Sequence, residues 1–329
     1  MVVIENMCLH ETSVYYIFRF CLLLVGRKTG KFTKRVLQMK GLTKQHNSSI
    51  MVSMNRLSNE DRIRVIAALV EGNSIRSTVR MTGVAKNTVA KLLVDIGAAC
   101  SSYQDQAFRN LSCKRVQCDE IWSFVGAKQK NVKPEHFEDG GFAGDVWTWT
   151  AIDADTKLVP CWMLGARDAQ SANAFIGDLA SRLASRVQLT TDGHKPYLKA
   201  VEGAFGFDVD YAMLIKIYGA SSEGEKRYSP ASCLGCESKA VTGQPDPKHV
   251  STSFVERQNL TMRMGMRRFT RLTNAFSKKV ENHAAAIALH FMYYNFVRIH
   301  QTLKVTPAMA AGVTTKLWEI ADVVNLLDQ

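Results

Sequence analysis

The chain is 329 residues long, carries a formal net charge of +12, and is 46% apolar. That apolar fraction supports a packed interior and excludes global disorder, while the length admits two domains or one large core with an appendage. A pI near 9.3 suits a polyanionic partner, nucleic acid above all, although ribosomal and membrane-surface proteins share it.

Residues 1–53 show no helix or strand period and end in a basic, polar stretch. They read either as a mis-called start, with Met51 or Met54 the true initiator, or as a poorly structured basic arm. Within them, residues 14–25 are apolar, but Arg19 interrupts the run, which falls short of the about 20 residues that a membrane-spanning helix needs. Glu5 and Glu11 precede it and no small-residue cleavage site follows, so neither a membrane span nor a signal peptide is expected. The eight cysteines are scattered, and only Cys233 and Cys236 lie close in sequence. That spacing encodes no legible disulfide framework and fits a reducing cytoplasm.

From Ser58 the pattern sharpens. Ser58 can cap a helix whose first turn holds Glu60 and Asp61, and Ile63, Ile66, Ala67 and Val70 then recur at helical spacing until Gly72-Asn73. A second helix fits residues 75–81, closed by Gly83. A third fits 86–96, with Val89, Leu92, Leu93 and Ile96 inward. Over residues 54–100 this is the layout of a helix-turn-helix DNA-binding unit, the plain alternative being a small helical bundle. In the first case Lys86, Asn87, Thr88 and Lys91 occupy the leading end of the recognition helix.

Beyond Cys100 strands take over. Residues 116–125 read as one strand. Residues 146–152 alternate strictly and are rich in β-formers, and after the turn at 153–157 a third strand (158–164) completes an antiparallel hairpin. A helix over 169–185 turns Ala172, Phe175, Ile176, Leu179 and Leu183 to one face. A fourth strand (187–191) ends at the turn pair Asp192-Gly193, and a short helix leads to a fifth strand over 211–218. Strand-strand-strand-helix-strand-helix-strand is the order of a ribonuclease-H-like mixed α/β sheet, expected to span residues 112–312. Residues 219–248 read as a long loop insertion, of the kind often functional inside a domain. The chain from 281 is helical, Thr306-Pro307 opens a last helix, and 313–329 form a tail. Phe291, Tyr293, Tyr294 and Phe296 read as core packing rather than a base-stacking platform, while Arg298 and His300 are open to a DNA-facing or a structural role.

Three carboxylates stand out. Asp119 lies mid-strand in an apolar setting, Asp192 ends the fourth strand, and Glu256 heads a helix rich in arginine. If the first and fourth strands are neighbours, Asp119 and Asp192 converge on one edge, and a helix across that edge brings Glu256 to the same point. Carboxylates gathered this way repel unless a cation sits among them. Oxygen-only ligation suits Mg²⁺ or Mn²⁺, and two such ions about 3.5–4 Å apart support in-line displacement at phosphorus. The plain readings are a buried hydrogen-bonding Asp and an ordinary Asp-Gly turn. Glu120 alternates to the opposite face and reads as a supporting or structural residue, and Asp153 and Asp155 as parts of a hairpin turn. Glu256, Asn259 and Arg263 fall on one helical stripe. Arg267 continues it and Arg257, Arg268 and Arg271 flank it, a basic face that DNA phosphates would neutralise.

The segments CDEIWSFVGAKQKN, TTDGHKPY, STSFVERQNLTMRMGMRRFTRLTNAFSKK and YYNFVRIHQTLKVTPAMAAGV resemble the DDE transposases of bacterial insertion sequences. They are most similar to the family of the first-numbered insertion sequence, in its form with an amino-terminal helix-turn-helix, and the resemblance covers about residues 55 to 320. It implies that Asp119, Asp192 and Glu256 are the metal-binding catalytic triad, and that Arg263 contacts transposon-end phosphates. The implied chemistry is nicking at the element's ends followed by attack of the freed 3′-hydroxyl on target DNA. The implied partners are double-stranded DNA, as transposon ends and target, and at least one further copy of the chain, since synapsis joins two ends. The implied location is the bacterial cytoplasm, on the nucleoid. The chain departs from the short members in the insertion at 219–248, which widens the spacing between the second Asp and the Glu. It also lacks cysteines at the front, where others carry a zinc unit; Cys233 and Cys236, with His249 beyond, form a candidate zinc site. Two other functions remain open: a DNA-binding regulator derived from a transposase, and a ribonuclease-H-fold nuclease that cuts without strand transfer.

Overall fold

The computed structural model describes residues 57–137, 142–219, 233–270 and 274–329; the expected arm at 1–53, Arg271 and residues 220–232 of the expected insertion lie outside them. Ser58 caps α1 (Asn59–Val70), its hydroxyl accepting from the Asp61 N–H at 3.1 Å. Ser74 caps α2 (Ile75–Thr82) in the same way, and Gly83, at φ 75°, ends it in the left-handed conformation that suits a residue without Cβ. The next helix, α3 (Lys86–Ala107), runs well past the expected end at Ile96. Gly97, the residue just past that expected end, is a contact residue. A Cβ there would sit 2.4 Å from the Cα of Ala285, on the buried α7 (Val280–Met292). The missing side chain lets two helix backbones meet.

Six strands form one sheet: β1 (Arg115–Val125), β2 (Gly144–Asp153), β3 (Cys161–Gly165), β4 (Val187–Asp192), β5 (Val209–Tyr218) and β6 (Cys233–Thr242), in the order β3-β2-β1-β4-β5-β6. β1, β2 and β3 are antiparallel neighbours, β4 pairs parallel to both β1 and β5, and β6 closes antiparallel on β5. The crossovers between the parallel strands run through α4 (Ala169–Arg182) and α5 (Pro196–Phe205), as parallel pairing requires. This is a mixed α/β fold consistent with a ribonuclease-H-like core. One apolar cluster joins Val65, Ile66, Leu93 and Ile96 of the first helices to Trp149, Phe175, Leu189 and Tyr211. A second gathers Ile121, Val125, Ile287 and Phe291 with Val255 and Met262 of α6 (Ser253–Gly265).

Two expectations are corrected. Residues 219–248 are not all loop, because Cys233–Thr242 forms β6. Gly235, Glu237, Ser238 and Lys239 hide the strand pattern, and the pairing partner β5 supplies what local preference lacks. The basic stripe also breaks: α6 ends at Gly265, Met266 is extended, and Arg267 and Arg268 sit in a 3-10 turn. Thr306 caps the short α8 (Pro307–Ala310) as expected. After α9 (Ile320–Asn325), Asp328 returns to pair with Arg62 of α1 at 3.2 Å. No helix among the described residues is long and apolar enough to cross a membrane.

Candidate active site

The β1–β4 ladder ends at Cys118–Thr191, so Asp119 and Asp192 occupy the next adjacent positions on parallel neighbours. Both carboxylates are held by their surroundings. Asp119 accepts from the Glu120 N–H at 2.8 Å and from Asn259 Nδ2 at 2.9 Å. Asp192 accepts from the His194 N–H at 3.0 Å, a turn bond fixed by the chain entering α5.

Glu120 joins them. Each of Asp119, Glu120 and Asp192 offers a carboxylate oxygen within 4.8 Å of the others. Side-chain alternation does place Glu120 on the far face of β1. The ladder to β4 stops at Cys118, two residues earlier, however, so at Glu120 β4 no longer flanks β1. The Glu120 side chain is 1% exposed and accepts from Arg167 Nε at 3.3 Å through Oε2, and the buried Tyr197 hydroxyl lies beside it. Arg167 also reaches Asp192 Oδ2 at 3.3 Å and lies over the Trp147 ring, 5.0 Å from its centre. Burial first, and then the neighbouring Asp192 and Asp119 charges, push the Glu120 carboxyl up to about 8. Burial and Asp192 likewise push Asp119 up to about 7. Two acids held this far above the carboxylate range mark a site short of positive charge.

Glu256 reaches the site through a cap supplied from the sheet. Thr252 precedes α6, but its hydroxyl donates to the Glu256 carboxylate rather than capping the helix. The first amides of α6 are met instead by Gln117, whose buried Oε1 accepts from the N–H groups of Phe254 at 2.8 Å and Val255 at 3.2 Å. Gln117 lies two residues before Asp119 on β1, so one strand fixes both the carboxylate and the helix facing it. Glu256 itself pairs with Lys216 Nζ of β5 at 2.5 Å. It stands apart from the group of three yet lines the same cleft of 690 Å³ with Asp119, Asp192, Arg167, His194 and Lys216.

The remaining sequence candidates separate. Asn259 is buried and turned to Asp119. Arg263 lies half-buried in the last turn of α6, and Arg257 and Arg267 are exposed. Arg268 turns inward and donates to Ser277 Oγ at 2.6 Å, and burial pushes its guanidinium down to about 10. Lys86, Asn87, Thr88 and Lys91 are all exposed at the start of α3, where Lys91 pairs with Asp95 at 2.5 Å. Cys233 and Cys236 are exposed on β6, whereas His249 pairs with Asp246 at 2.9 Å. Among the described residues no third ligand-type side chain gathers with the two thiols. Gln117, Arg167 and Lys216 carried no sequence signal, since each acts through a partner remote in the chain. Glu120 was visible in the Asp-Glu pair, but strict alternation set it aside.

No protein-family profile matches the chain, and no curated protein does. Among solved structures it is similar to a piggyBac transposase synaptic complex with hairpin DNA, at 11% identity, covering 97% of this chain and 77% of that one with a TM-score of 0.35. A likeness that distant carries no information about activity.

Proposed function

We propose that this chain is a metal-dependent DNA transposase of the DDE type, belonging to an insertion sequence, which nicks DNA at element ends and joins the freed 3′-hydroxyl to a target. The observation that carries the reading is the convergence of Asp119, Glu120 and Asp192 within 4.8 Å at one strand edge, across a cleft from Glu256. The donor set fits a hard divalent cation: all oxygen, with three carboxylates each offering an oxygen within 4.8 Å of the others. Asp119 and Asp192, with Glu120 beside them and Glu256 opposite, would hold Mg²⁺ or Mn²⁺, in one or two ions. The metal would supply charge neutralisation at phosphorus and acidity for the attacking water or 3′-hydroxyl.

The chain's own residues perform the positioning. Asn259 and the Glu120 N–H fix the Asp119 carboxylate, the His194 N–H fixes Asp192, and Gln117 anchors the start of α6 and so the reach of Glu256. Arg167 pairs with Glu120 and Asp192, and Lys216 with Glu256. Arg257, Arg263 and Arg267 give the DNA backbone a basic flank beside the cleft, and phosphate contacts of this kind set position rather than sequence. The helices α1 to α3, as a helix-turn-helix unit, would read the element ends through Lys86, Asn87, Thr88 and Lys91.

The test is cleavage and strand transfer by the purified chain on labelled duplexes bearing the ends that flank its gene, with Mg²⁺ or Mn²⁺. Asp192→Asn and Glu256→Gln should abolish both steps while retaining end binding in a mobility-shift assay, whereas Arg263→Ala should weaken or misplace binding. Undiminished cleavage by Asp192→Asn would sink the proposal. Nicking without joining would move it to a nuclease, and binding without cleavage to a regulator.

A further inference from the structure

We infer that β6 is a dimerisation strand, pairing antiparallel with β6 of a second copy about a two-fold axis through Ser238. The sheet ends differently on its two sides. The β3 edge is short, Cys161–Gly165, and mostly buried. The β6 edge runs over Cys233–Thr242 with no residue buried and no proline to block pairing, and Leu234 stands 72% exposed and Val241 38%. Among the described residues only β5 pairs with it. Between its two bulges this edge presents a row of free N–H and C=O groups that template another strand.

Its sequence selects the partner and the register. Directly opposed residues in an antiparallel pair share a face, so a two-fold axis normal to the sheet must pass through a residue opposite itself. Allowed registers therefore differ by whole residues of axis position. Centring on Glu237 sets Glu against Glu, and centring on Lys239 sets Lys against Lys. Centring on Ser238 sets Glu237 of each copy against Lys239 of the other, twice. The same register places Cys236 against Ala240, small beside small. The β5–β6 register shifts at both Leu234 and Val241, and these two bulges end the paired stretch.

This pairing would make one continuous sheet of two six-stranded halves, with both carboxylate clusters on the same face because the axis is normal to it. Five strand spacings separate the two copies of β4 and seven the two copies of β1, which at about 4.8 Å each places the clusters roughly 24–34 Å apart. That separation is within about one turn of duplex DNA. This consequence rests on the proposed function, but the pairing itself does not.

The experiment is sedimentation of the full chain under reducing conditions, which needs no DNA. Wild type should be a dimer. Lys239→Glu and Glu237→Lys should each weaken it on the order of tenfold or more, because two attractive cross-strand pairs become repulsive. The double variant should restore it. In a Cys233→Ser, Cys236→Ser background, Ser238→Cys should cross-link two copies on oxidation and Val241→Cys should not, since only a self-opposed residue has the required Cα separation. A monomeric wild type would overturn the inference and make Lys239 and the bulges devices that protect a free edge. A dimer indifferent to the charge changes would overturn it equally. Neither result bears on the cleavage assay above.

Discussion

Replacing Gln117 by methionine keeps the volume of a side chain that is 3% exposed but removes the oxygen that meets the first amides of α6. Two donors lose their acceptor, the N–H groups of Phe254 and Val255. Phe254 is 38% exposed, so water can replace that bond, and its loss resembles the removal of an ordinary helix cap, about 1 kcal/mol. Val255 is fully buried, and an unmet donor there costs about 1–3 kcal/mol. The sum, about 2–4 kcal/mol, corresponds to a drop in Tm of roughly 3–6 °C for a chain of this size, at about 2.1 cal/mol/K of unfolding entropy per residue. The protein therefore stays folded at working temperature. Activity should fall further than stability, because Glu256 lies one turn into the helix so anchored and a misplacement of about 1 Å can cost on the order of a hundredfold. Thermal melts with Mn²⁺-dependent cleavage on the same preparation measure both. A variant that melts like wild type, or that loses stability while cleaving at the wild-type rate, would refute the idea that β1 positions the helix for chemistry.

Gly97→Ala should destabilise the protein although alanine is the better helix former by about 1 kcal/mol. Its methyl would meet the Ala285 backbone at 2.4 Å, and overpacking of this kind costs about 1–3 kcal/mol; a raised Tm would show that α3 and α7 separate freely. His283 is wholly buried between Ser123 and Ser277, and burial, then the Arg268 charge, push its imidazole down to about 3. The unfolded chain then binds the proton that the folded one refuses, so this stability is complete above pH 6.5 and is lost as pH falls toward 3. The loss should be about 3 kcal/mol by pH 4. Denaturant unfolding of wild type and His283→Asn at pH 7 and pH 4 should show the variant less sensitive to acid, and equal sensitivity would contradict the assignment. Mn²⁺ at about a hundred times its Kd should stabilise the wild type by about 2.7 kcal/mol, and Asp192→Asn should lose most of that response. An unchanged metal-induced shift in calorimetry would place the cation elsewhere.

Local sequence determined a great deal. Ser58, Ser74 and Thr306 cap helices where their side chains allow, β2 forms over the alternating stretch although Thr148–Asp153 is buried on both faces, and the order of strands and helices fixes a mixed sheet because parallel pairing demands crossovers. Asp119 beside Asp192 was expected if β1 and β4 were neighbours, and the sheet makes them so. What the sequence could not contain are relations between remote segments. The strand β6 exists because β5 lies beside it, and Gly97 is a helix contact only because α7 crosses there. Glu120 enters the acidic cluster because the β1–β4 ladder ends at Cys118, two residues before it. Arg167, Lys216 and Gln117 become parts of the site through partners 25 to 138 residues away. Chain-local preferences encode elements and their order, because capping and periodicity act within a few residues. Charge neutralisation and helix anchoring act across space, and only the packed structure decides them.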